Sequence, residues 1–142
     1  MKGFFEEYTF IGDSIVETYN VDFERKKISM LCVHWCGQDN SERKETTVIF
    51  DSVLTHLFVG VNNKGNVLFD IVEAKLDELY SQFGYILDKF HFDFSSKEKL
   101  AQLINDNYRI YLINSSFGLY GMVISENIDF LDEKGLSYIN ND

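Results

Sequence analysis

The densest group of chemically able side chains is Cys32-Val33-His34-Trp35-Cys36. Thiolate and imidazole together serve as zinc ligands or as a nucleophile with its base. The stretch from Lys27 to Trp35 is rich in Ile, Val, Leu and Trp, which predicts a strand. Alternation along a strand puts Cys32, His34 and Cys36 on one face. It also spreads them, to roughly 6.6 Å for two positions and roughly 13 Å for four. One tetrahedral zinc cannot easily take all three without a kink. A Cys32–Cys36 disulfide fails as well, because bridged Cα atoms lie within about 7 Å. Thiol catalysis would need a third group to orient His34, or the approach of His56 or His91 from elsewhere in the chain. The plainer reading makes both cysteines small core residues with His34 satisfied locally. No metal, cofactor or enzymatic activity is expected.

Carboxylates are plentiful: Glu6-Glu7, Asp13 with Glu17, Asp77-Glu78 and Asp132-Glu133. Hydrolytic pairs need a cleft that pushes their pKa values apart. With 23 acidic residues, such pairs arise by chance and read as solvated surface. Asn63-Lys64-Gly65-Asn66 has no second glycine and precedes a strand, so it is a turn and not a phosphate loop.

The acidity itself is the stronger signal. Against those 23 acids stand 13 basic residues, for a net charge of −10. Such a surface repels phosphate backbones and anionic membranes, so neither nucleic acid nor membrane is an expected partner. A basic protein would be drawn in at long range. The charge sits at the two ends. Residues 1–22 hold Glu6, Glu7, Asp13, Glu17 and Asp22 against Lys2, and residues 120–142 hold Glu126, Asp129, Asp132, Glu133 and Asp142 against Lys134, a net of −4 each. If the ends meet in space, they form one acidic face. Glu6, Glu7, Asp13, Glu17, Glu126, Asp129, Asp132 and Glu133 are then the steering residues, and exposed members of Tyr8, Phe10, Tyr19 and Tyr120 the aromatic anchors. The competing reading is an acidic surface that only keeps the protein soluble.

These residues must be carried by a single domain, 1–142, with 126–142 a loosely ordered acidic tail. Asp13–Asp22 and Lys27–Trp35 predict a hairpin, Thr46–Val53 and Leu54–Val61 two further strands, and Asn66–Glu73 another after the Asn62–Gly65 turn. From Lys75, apolar residues at Leu76, Leu79, Tyr80, Phe83, Ile86, Leu87 and Phe90 follow a helical period. Ser95 with Glu98 fits a capping box for a second helix ending near Asn105. Tyr108–Asn114 and Leu119–Ile124 predict a closing hairpin. The expected class is α+β: a mainly antiparallel sheet of about six or seven strands with two helices packed on one face. Two cysteines, no secretory signal and no long apolar run point to the cytoplasm.

Gly12-Asp13-Ser14-Ile15-Val16-Glu17 with Val21-Asp22 and Lys27-Ile28, then Val48-Ile49-Phe50-Asp51-Ser52-Val53, then Asn66-Val67-Leu68-Phe69-Asp70-Ile71 form a layout. It resembles small bacterial immunity proteins of polymorphic toxins and of contact-dependent growth inhibition. The resemblance covers about the first half of the chain. Gly12 stands where those proteins have histidine, so no role is carried over for that position. The resemblance implies a protein that binds and neutralises a cognate basic toxin domain, of the nuclease type. A homo-oligomeric structural protein, with a homodimer as its simplest form, and a small Cys/His enzyme are the alternatives.

Overall fold

The computed structural model describes residues 7–8, 11–74, 98, 101–102 and 105–137. Seven strands follow in order: β1 Glu7–Tyr8, β2 Ile15–Asp22, β3 Lys27–Cys36, β4 Glu42–Val59, β5 Val67–Glu73, β6 Arg109–Phe117 and β7 Tyr120–Leu131. All pairings are antiparallel. Six strands run β5-β2-β3-β4-β7-β6 and return from β6 to β5, which closes a barrel.

The expected α+β class is therefore overturned. An open sheet would leave its first and last strands unpaired, whereas here β5 pairs with both β6 and β2. The helices expected over 75–90 and from Ser95 lie outside the described residues, apart from Glu98, Ala101, Gln102 and Asn105, and no complete α-helix is among those described. Among the described residues no helix is long and apolar enough to cross a membrane.

The hairpin β2–β3 and strand β5 stand where alternation and turn residues placed them. The runs Thr46–Val53 and Leu54–Val61 are instead one 18-residue strand, β4. Ser52 takes φ 53°, and the register with β7 slips between Val53 and Thr55. A bulge of this kind turns the strand without ending it. β4 thereby serves two walls: Glu42–Phe50 pairs with β3, and Thr47–Val59 pairs with β7. Residues 126–131 of the expected acidic tail form the second half of β7, and Leu131 bridges Ser137. Ile128 and Phe130 face inward there and anchor it.

A six-stranded barrel has room for side chains and little else. Ile28, Met30 and Cys32 from β3, Val48 and Phe50 from β4, Tyr111 and Ile113 from β6, and Val123, Ile128 and Phe130 from β7 fill it. Phe50 and Tyr111 meet with ring centroids 5.7 Å apart. The period of two in these positions is the alternation that burial on one face requires. Gly121 is dictated by close approach: a Cβ there would lie 1.9 Å from the Leu57 carbonyl oxygen of the paired strand.

The closing seam is short. β2 meets β5 at Ile15 and Val67, with Asp13 N donating to Leu68 O, Leu68 N to Ser14 O and Val16 N to Asn66 O. β1 extends the same edge of β5, pairing Glu7 with Val72 and Tyr8 with Ile71.

Candidate protein-binding face

β2, β3, the first half of β4 and the second half of β7 form one wall. Its inward positions belong to the core, so the residues between them point outward. The outward set from β4 is Arg43, Glu45, Thr47, Ile49 and Asp51, and it lies beside Lys27, Ser29, Leu31, Val33 and Trp35 of β3, of which Val33 is buried. On its other side Asp129 pairs with Ile49 and Leu131 with Thr47.

Arg43 organises the charge. Its Nη1 donates to Glu17 Oε2 at 2.9 Å and its Nη2 to Glu17 Oε1 at 2.7 Å, a two-pronged pair between β4 and β2. Nη2 also reaches Glu45 Oε2 at 3.4 Å. The Glu45 backbone N–H in turn donates to Glu133 Oε1 at 3.1 Å. Glu17 and Glu133, from the two acidic ends of the sequence, are thus tied to neighbouring residues of one strand. The hydrogen bond from Arg43 holds the Glu17 carboxyl below its ordinary range, opposed by a small desolvation. Backbone donors from Glu133 itself and from Glu45 do the same for Glu133. The guanidinium of Arg43 is held more firmly protonated by Glu17. Lys27 pairs with Asp51 at 3.2 Å higher on the same wall.

Among the described residues this face carries Glu17, Glu45, Asp51, Asp129 and Glu133 against Lys27, Arg43 and, near Glu133, Lys44. Trp35, opposite Arg43, is 46% exposed. The face is acidic in balance, but its centre is a cation already engaged. Glu45, Asp51, Arg43 and Trp35 are not among the residues expected from the sequence to bind a partner. Their alternation, Arg43, Glu45, Thr47, Ile49, Asp51, is a visible signal once β4 is taken as one strand.

The remaining expected residues are dispersed. Glu6 and Phe10 lie outside the described residues, while Glu7 and Tyr8 form β1 on β5. Asp13, exposed at φ 63°, lends its backbone N–H to the seam. Tyr19 is exposed and meets Phe58 edge-on at 5.1 Å. Tyr120 is half-buried over Gly60. Asp129 accepts from Ser137 Oγ, and Asp132 accepts from the Lys134 and Leu136 backbone, so both shape the turn after β7. Glu126 lines a separate open cleft of about 380 Å³ with Glu73 and Arg109, which pair at 2.9 Å.

Cys32 lies in the core, and burial pushes its thiol up to about 12, which leaves it protonated and poorly nucleophilic. Cys36 is half-buried. Nδ1 of His34 is buried without a hydrogen-bond partner among the described residues, so the local partner expected for this imidazole is missing there. His56 packs on Phe58 with centroids 5.2 Å apart, and His91 lies outside the described residues. Among the described residues no three His, Cys, Asp or Glu side chains group to hold a metal. No family model, curated protein or solved structure matches the chain.

Proposed function

We propose that this protein is a cytoplasmic binding module that captures and neutralises a basic protein, a toxin domain of the nuclease type. One observation carries the reading: carboxylates from both ends of an acidic chain, Glu17 and Glu133, come to one outer wall with Glu45, Asp51 and Asp129. A net charge of −10 draws a cationic partner from a distance, and the wall gives the encounter a preferred side. Trp35 offers an aromatic anchor of the kind that slows release. Arg43 fixes Glu17 and Glu45 in place, so less side-chain entropy is lost on binding.

The test is capture from the native host by the full chain, at low and at high salt, with the wild type and the triple variant Glu17→Lys, Glu45→Lys, Glu133→Lys. The expected result is a basic protein held by the wild type at low salt, released by salt and lost by the folded variant. Expressed alone, that protein arrests growth, and co-expression of the wild type restores it. Equal capture by the charge-reversed variant refutes the reading, and so does a captured protein without toxicity.

A further inference from the structure

Closure of the barrel is incomplete along β4. Its pairing with β3 ends at Phe50 and Ile28, after which Val53 N donates to Lys26 O at the tip of the β2–β3 hairpin. From Leu54 to Val59 that side of β4 has no strand beside it among the described residues, while the other side is paired with β7. A bare strand edge is a row of donors and acceptors that accepts another strand. Proteins usually defend such an edge with charge, proline or a bulge. Ser52-Val53-Leu54-Thr55-His56-Leu57-Phe58-Val59 contains no charged residue, proline or glycine, and its bulge lies at the beginning, leaving Thr55–Val59 regular.

We propose that this edge pairs antiparallel with the same edge of a second copy, about a two-fold axis at Leu57. Three features select a second copy. In a molecule of net charge −10, two copies can approach closely only along an uncharged stretch, and this is one. A two-fold axis at Leu57 sets Thr55 opposite Val59 of the second copy, and each end of the edge carries exposed apolar side chains. Phe23, 82% exposed, and Leu54, 40%, share a cavity at one end, and Val61, 49% exposed, lies just past the other. Self-pairing covers Phe23 and Leu54 of each copy with Val59 and Val61 of the other, adding apolar area to the backbone hydrogen bonds. The contact is isologous and closes at two, which keeps an exposed edge from propagating into fibres. It leaves the outer wall of β2, β3, β4 and β7 free and stands independently of the partner proposed above.

Sedimentation equilibrium of the full chain, from about 1 µM to about 200 µM, tests this. The expected mass approaches twice the 16.6 kDa of one chain at the upper end. Leu57→Lys sets like charges beside the axis and weakens the dimer at least about tenfold. Phe23→Ser and Val61→Asp alter exposed side chains and weaken it without unfolding the barrel, as circular dichroism reports. Trp35→Ser and Phe117→Ser, equally exposed but away from this edge, leave the dimer constant unchanged. A single-chain mass across the whole range overturns the proposal. So does a dimer that Trp35→Ser or Phe117→Ser dissolves while Phe23→Ser and Val61→Asp do not.

Discussion

Two of the stretches of this barrel that lack a strand neighbour on one side among the described residues treat the same defect in opposite ways. Beyond Ile15, β2 pairs with β3 alone. Its free stretch begins with a bulge at Glu17, ends at Asp22, and exposes Thr18, Tyr19 and Asn20 between them. Charge and irregularity discourage a foreign strand there. On β4 the residues from Thr55 to Val59 are regular, uncharged and half-buried. Backbone geometry alone does not decide whether an edge is available; the charges beside it do.

The largest break in this comparison comes from β7. Gly121→Ala forces a methyl group onto the Leu57 carbonyl and drives β4 away from the strand that holds its edge in place. It is expected to cost about 3 kcal/mol, read from the urea midpoint at constant m. Next is a ring contact between the two edges, Tyr19 on Phe58. Phe58→Ala is expected to cost about 2 kcal/mol, Tyr19→Ala less, and the double-mutant cycle to return a coupling of about 1 kcal/mol. A coupling near zero would mean that the edges are energetically separate.

Legibility followed locality. The β2–β3 hairpin, β5 and the Asn62–Gly65 turn were readable because alternation and turn residues act within a few positions. The sequence divides β4 into two strands because a single strand of 18 residues exceeds the usual length, and nothing local announces that Ser52 will adopt φ 53°. Barrel closure was hidden because it depends on Ile15 meeting Val67, far along the chain. The second half of β7 was masked by its own acids, although Ile128 and Phe130 alternate correctly. Of the acids on the candidate face, Glu17, Asp129 and Glu133 are marked in the sequence by their charge. Glu45 and Asp51 required the register of β4.

A smaller effect sharpens the contrast from the defended side. Glu17→Thr removes the charge at the β2 bulge and the partner of Arg43. With both edges then open, light scattering is expected to show species larger than a dimer, and unchanged scattering would assign the defence to the bulge alone. The smallest effect distinguishes the edges by pH. Partial burial lowers the pKa of His56 below its ordinary 6.5. Between that folded value and 6.5 the unfolded chain binds a proton that the folded chain does not, so stability is complete above about pH 6.5 and declines on acidification. Glu17, with its pKa lowered, keeps its contribution above 4.5 and loses it only as the pH falls through the folded value. Urea midpoints at about pH 7.5 and about pH 5.5 are therefore expected to differ for the wild type, and His56→Gln to reduce that difference.

The brevity of the β2–β5 seam has a kinetic side. Hairpins β2–β3 and β6–β7 join residues close in sequence, whereas the seam joins Ser14 to Leu68 and Val16 to Asn66. The β4–β7 ladder spans more chain still, from Thr47 to Leu131, but its many pairings offset that closure and the seam's single pairing does not, so the cylinder zips shut last at this line. By the same reasoning it unzips first, and the amides of Asp13, Val16 and Leu68 should exchange with solvent deuterium ahead of those buried between β4 and β7.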